Sequence, residues 1–276
     1  MHLRVPMLTL LLAAMACATA AAPSATIAQQ GRVVQDRDWC DNDWNDDDNE
    51  RHCEVREFTL SPRDLIAVNA SPNGGIEVEG WDRNEVLVRA KVSARGRSES
   101  DAREIAGEVE IETGGRWIEA DGPRTRRHES WWVSYRVFVP TNTNLDLKST
   151  NGSIRISDVA GRIDFRTTNG GVRLARLQGD VNGRTTNGGL RVELAGDRWE
   201  GRGLDVRTTN GGVKLYVPDG YNCRLETGTV NGSFRIDFPV TVQGRLDRRH
   251  FNVELGDGGP TIRAVTTNGG VVVERA

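Results

Sequence analysis

Long apolar runs, aromatic rings and an excess of either charge are what this 276-residue chain has little of. Beyond the N-terminal leader no stretch approaches the roughly 18 consecutive apolar residues a membrane-spanning helix needs, so no transmembrane span is expected. Lys and Arg number 36 against 39 Asp and Glu, a net charge of −3. That balance lacks the basic footprint of a generic nucleic-acid binder, and no nucleic acid is expected as partner. Aromatic residues make up 6% and hydrophobic residues 37% of the chain, so any core is thin and aliphatic. The four histidines, at 2, 52, 128 and 250, assemble into no Ser-His-Asp pattern. Glycine is abundant, at 31 residues, well above the usual roughly 7%. The excess belongs in turns and close backbone approaches, which argues against a helical bundle.

The N-terminus reads as an address. His2 and Arg4 precede an apolar stretch from Val5 to Ala16 and then small residues, the order of a secretory signal over residues 1–20, with cleavage after Ala18-Thr19-Ala20. A lipid-modified Cys17 is the alternative. Either places the chain outside the cytoplasm, in the periplasm or at the cell surface. In such an oxidising compartment Cys40 and Cys53, with twelve residues between them, are expected to form a local disulfide. A zinc site with His52 is the sharper alternative but falls short of four ligands. Cys223 reads as a lone buried thiol, with no histidine near it in sequence.

Residues 21–53 read as an acidic flexible arm, and the stretch 36–57 carries ten acidic and three basic side chains. Asp41, Asp43, Asn45 and Asp47 alternate as in a calcium loop. The sixth position is Asp46 where such a loop needs glycine, and the twelfth is His52 where it needs Glu. No metal and no cofactor is expected. From residue 54 to 140 apolar and polar residues alternate with the period of strands, at 65–68, 76–80, 85–92, 116–120 and 133–140. One helix is expected around Ser100–Val109, with Ala102, Ile105, Ala106 and Val109 on one face and Ser100 as its cap.

From residue 141 to 276 the chain is repetitive. Asn followed by Gly-Gly or Gly-Ser recurs with its Asn at 73, 151, 169, 187, 210, 231 and 268. The spacings 18, 18, 23 and 21 suit one coil each, and the last, 37, holds two coils or one with a long excursion. Aligned on Asn151, Asn169, Asn187, Asn210, Asn231 and Asn268, whole columns match. Six residues before the Asn stand Leu145, Ile163, Val181, Leu204, Leu225 and Ile262; three after it stand Ile154, Val172, Leu190, Val213, Phe234 and Val271. Polar residues fill the columns between, so each coil is a strand, a corner at Asn-Gly, and a second strand, each with one buried and one wet face. Stacked in register, like meets like, and the asparagines and the threonines at 167, 185 and 208 are placed for hydrogen-bonded ladders. The fold class expected is all-β: a single-stranded β-helix or solenoid, right-handed favoured, with one short helix in its N-terminal part.

The segment SPNGGIEVEGWDRNEVLVRAKV at 71–92, the RVFVP strand end at 136–140, the TTNGG units and the terminal GDGGPTIRAVTTNGGVVVERA resemble the bacterial "putative adhesin" family of exported β-solenoid domains of unknown function. The resemblance spans roughly residues 54–276 and implies a β-helix-like fold, export, and an adhesin label that rests on architecture. The family is silent about the Cys40–Cys53 arm.

The sharpest candidate site is the column four residues after the Asn: Arg155, Arg173, Arg191, Lys214 and Arg235. Stacked, these five form a cationic stripe about 20 Å long that suits phosphates or carboxylates of an envelope glycan, a lipid headgroup or another envelope protein. The bland reading is a solvated outer face. The acidic arm, through Trp39 and Trp44, is expected to dock on the same stripe, in cis or in a neighbouring molecule. A second basic column, Lys148, Arg166, Arg184 and Arg207, sits two residues from the acidic Asp146, Asp164 and Asp205 and is neutralised by it. Asp146 and Asp164 have the separation of a glycosidase pair, but the neighbouring cations oppose a raised carboxyl pKa. The expected function is therefore a non-enzymatic adhesin-like solenoid of the cell envelope. A structural or envelope-stress accessory module is the alternative, and a polysaccharide enzyme stands behind both.

Overall fold

The computed structural model describes residues 31–41, 50–239, 247 and 249–276. The leader over 1–20, Cys17, Trp44 and the aspartates at 43, 46, 47 and 48 lie outside the described residues.

The chain folds into two facing sheets, one of eleven strands and one of ten. Each coil gives one strand to each sheet. Ala160–Asn169 lies in the second sheet, Val172–Ala175 in the first, and the Asn-Gly corner joins them. The inward columns are those the alternation marks. Leu145, Ile163, Val181, Leu204, Leu225 and Ile262 are buried, as are Ile154, Val172, Leu190, Val213 and Val271. Phe234, in the last coil, is half-buried. No helix among the described residues is long and apolar enough to cross a membrane.

Two ladders hold the corners. Each asparagine amide donates to the side-chain carbonyl of the asparagine one coil away: Asn169 to Asn151 at 2.7 Å, Asn187 to Asn169 and Asn210 to Asn187 at 2.8 Å. The threonines bond differently from the expectation. They do not bond to one another, because two residues before the corner the side chain points inward, beside the glycine carbonyl of the adjacent coil. Thr167 Oγ1 donates to the Gly152 carbonyl at 2.9 Å, Thr185 to Gly170 at 2.8 Å and Thr208 to Gly188 at 2.7 Å. These hydroxyls are buried, so each satisfies an acceptor that would otherwise be lost to solvent.

The two corner glycines have different reasons. A Cβ on Gly188 would be driven into the Gly170 carbonyl, so the first glycine is what allows coils to stack at all. A Cβ on Gly189 would meet nothing nearer than the Gly212 carbonyl at 3.4 Å, an ordinary contact. Ser153 and Ser233 occupy the same column.

At the C-terminal end the stack departs from chain order. Gly203–Asn210 pairs with Thr261–Asn268, and Val213–Val217 with Val271–Arg275. Cys223–Asn231 and Phe234–Ile236 lie outside that coil. The last coil in sequence, at Val271–Val273, is therefore not the edge of the stack. Val271 and Val273 are fully buried in a penultimate coil. The long interval is one coil plus an excursion, from which Phe251–Leu255 pairs antiparallel with Cys223–Asn231. The exposed ends are then short strands with charged flanks, which resist edge pairing.

At the other end, Leu65–Asn69 and Ile76–Trp81 form a coil beneath Asn144–Lys148 and Ile154–Ser157. Between these coils the chain leaves for an antiparallel excursion of Val86–Gly96 and Ser130–Pro140, which Glu50–Leu60, from before the first coil, joins by pairing antiparallel with Val86–Gly96. The helix Glu99–Gly107 packs on it through buried Ala102 and Ala106. Its cap is Ser98, not Ser100. Ser98 is extended and its hydroxyl accepts from the Asp101 amide at 3.1 Å, whereas Ser100 lies inside the first turn.

Candidate functional site

An outward row crosses the larger sheet at one register position per strand. It reads Arg32, Glu57, Arg89, Arg136, Glu77, Arg155, Arg173, Arg191, Lys214, Val272 and Arg235. Arg155, Arg173, Arg191 and Lys214 are neighbours on four successive parallel strands, about 4.8 Å apart. Arg235 is not the fifth member of that set. The coil swap inserts Val272 between it and Lys214. Arg235 also engages Asp237 at 3.0 Å and Glu274 at 3.4 Å. The stripe is thus four cations and about 14 Å long.

Within this window no arginine or lysine has an ion-pair partner among the described residues. Arg191 is oriented by Tyr216, with its guanidinium 4.1 Å from the ring centroid and Nη1 donating to the hydroxyl at 2.7 Å. Alongside runs a groove of about 420 Å³, its floor at Gly171, Gly189 and Gly212 and its wall the four cations. Beside Arg155 the floor carries the small Ser153 side chain and beside the other three cations a glycine, so the cations line an open side of the groove.

Toward the N-terminus the same row is occupied. Arg136 pairs with Glu77 at 3.1 Å, Arg89 with Asp36 at 3.2 Å and with Glu57 at 3.4 Å, and Arg32 with Glu57 at 2.7 Å. Within the chain, the described part of the arm, through Asp36 and Trp39, docks here and not on the predicted stripe. Trp39 lies 4.5 Å from the Arg136 guanidinium and 5.3 Å from the Lys91 ammonium. The physical reason is tethering: Cys40 is joined to Cys53, with Cα atoms 5.8 Å apart. Cys53 stands in the strand paired with Val86–Gly96, so Trp39 is held over that end. The disulfide consumes both thiols and removes the zinc alternative. His52 instead faces Glu54 at 3.4 Å. Residues 50–53 are strand rather than arm.

The opposite sheet carries the mixed columns. Asp146 and Asp164 are register neighbours, as are Lys148 and Arg166. Lys148 lies 3.8 Å from Asp146, Arg162 3.0 Å from Asp164, and Arg207 3.1 Å from Asp205. This is a salt-bridged surface over a groove of about 320 Å³, without the isolated carboxylate a general acid needs. Cys223 is buried, and burial pushes its thiol up to about 12, the environment of an inert thiol. Among the described residues no group of three or more His, Cys, Asp or Glu is placed to hold a metal.

Sequence spacing missed three features of the row: the Val272 gap, the Glu77 boundary and the Tyr216 support. Glu77 had a visible signal, since it stands four residues after Asn73 where the coils at Asn151, Asn169, Asn187, Asn210 and Asn231 carry a cation; Val272, four after Asn268, departs in the same way.

The family model of Toastrack DUF4097 matches residues 124–274. Solved structures similar to the chain include a putative cell adhesion protein from Clostridium sporogenes at 10% identity, covering 82% of this chain and 100% of that one, TM-score 0.45. A putative adhesin from Bacteroides fragilis aligns at 9% identity over 80% of this chain and 97% of its own, TM-score 0.33. A putative lipid binding protein from Parabacteroides distasonis aligns at 11% identity over 81% and 97%, TM-score 0.34. No curated protein matches the chain.

Proposed function

The chain belongs to the Toastrack DUF4097 family, and from that premise we propose that it is an exported, non-catalytic, adhesin-like solenoid of the bacterial envelope that binds a polyanion through Arg155, Arg173, Arg191 and Lys214. One observation carries the reading: four in-register cations stand without carboxylate partners in a row whose other cations, Arg32, Arg89, Arg136 and Arg235, are paired. Leaving like charges stacked costs stability unless something else compensates them, and an anionic ligand is that compensation. Export is supported by the Cys40–Cys53 bond, which persists in oxidising compartments. Anionic glycans and lipid headgroups share the chemistry the stripe recognises, as bidentate targets for guanidinium groups.

A panel of glycans, lipids and polyanions, probed at two salt concentrations, tests it. Binding that weakens with salt and is lost in Arg173→Ala and Arg191→Ala is expected. Absence of binding across the panel would leave a structural module without a ligand.

A further inference from the structure

The window has ends as well as a spacing, and together they define a ligand. Resting on the anion-binding reading above, we infer that the ligand is a linear glycan with one anionic group per sugar, laid across the strands along the solenoid axis, and that the site holds four charged units.

Spacing selects the polymer. The cations repeat once per strand, about 4.8 Å. An extended acidic peptide presents side chains on one face every two residues, about 6.6 Å, and drifts out of register within the window. Along a duplex axis one nucleic-acid strand advances about 3.4 Å per phosphate, out of step with one charge per coil. A sugar ring in an extended chain is about one strand spacing long, so a chain of uronates whose linkage torsions turn the carboxylates to one side meets one cation per ring. Its rings lie in the groove of about 420 Å³ beside the cations, within the size range of ligand pockets.

The ends set the length. Glu77 stands next to Arg155 in the row and repels a fifth anion on that side, while its own partner is Arg136 at 3.1 Å. On the other side Val272 offers no charge, and Arg235 beyond it is engaged by Asp237 at 3.0 Å. The row therefore reads acid, four cations without a carboxylate partner, gap.

The test is a length ladder. Galacturonate oligomers from monomer to octamer are titrated against the full chain by calorimetry, beside phosphatidylglycerol vesicles. Affinity is expected to rise about two- to five-fold per unit, as for exposed ion pairs, up to the tetramer and then to level. Val272→Lys, at a half-buried outward position, fills the gap and is expected to move the plateau past the tetramer. A monomer that binds as tightly as the tetramer, an affinity that climbs unabated to the octamer, or binding to vesicles alone would overturn the inference. If Val272→Lys fails to fold, the ladder on the unaltered chain still decides. Should polyanion binding depend on Arg173 while the ladder stays flat, only the four-unit glycan falls. Should no polyanion respond to Arg173→Ala, the stripe itself falls.

Discussion

Arg136 and Arg173 stand in one outward row of one sheet, separated only by Glu77 and Arg155, and their surroundings are opposite. Arg136 is enclosed by the Glu77 carboxylate and the Trp39 ring. Arg173 has neither a carboxylate nor a ring against it among the described residues. The row is therefore two regions with different work. The N-terminal end uses its charges to fasten the disulfide-tethered segment Arg37–Asp41 onto the antiparallel excursion. The four-coil window leaves its charges to solvent, and with them a groove. Position in a strand does not by itself say whether a charge is structural; what occupies the neighbouring strands does.

The difference can be broken experimentally, and the largest effect lies within the window itself. Gly188→Ala is expected to cost about 3 kcal/mol or more, because the new Cβ meets the Gly170 carbonyl of the adjacent coil. Gly189→Ala, one residue on, is expected to stay within about 1 kcal/mol. Urea denaturation of the two variants side by side measures the contrast, and equal losses would mean that both glycines are structural. Next in size, Cys40→Ser with Cys53→Ser removes the staple over a sequence separation of 13. It should lower stability by about 3 kcal/mol while leaving anion binding in the window intact. Denaturation of the oxidised and reduced protein gives an independent reading of the same quantity. Smaller still, Arg136→Ala is expected to cost about 1 kcal/mol through its lost ring and carboxylate contacts. Arg173→Ala should change the unfolding free energy by no more than about 0.5 kcal/mol, as at an exposed position with no carboxylate partner to strand.

Much of this was legible in the sequence, for a physical reason. A solenoid repeats one environment, so the inward columns of Ile163, Val181 and Leu204, and the asparagine ladder, show themselves as periodic identities. The disulfide was legible from compartment and spacing. The order of the last two coils was not, because Val271 and Phe234 are both apolar residues three places after an Asn-Gly corner, and either suits the place beside Val213. That one ambiguity hid the Val272 gap and made the stripe read as five cations. The docking of Trp39 on Arg136 was illegible for a different reason: it depends on where the Cys53 strand pairs, a contact across the excursion that no local period records. The opposite corner was also missed. There Asp158 and Arg176 adopt positive φ and pair with each other at 2.6 Å, in residue types that carry no turn signature as strong as Asn-Gly.

The most direct measurement of the central claim compares two double variants with the same change in net charge. Arg173→Ala with Arg191→Ala empties the middle of the window; Arg89→Ala with Arg136→Ala empties the occupied end. Both are titrated with one polyuronate at low and at physiological salt, with thermal midpoints confirming that each is folded. The account predicts about a tenfold or greater loss of affinity for the window variant, as expected for two exposed charge-assisted contacts, and a change within about twofold for the other. Equal losses in the two variants would contradict it and leave only the bulk charge of the sheet.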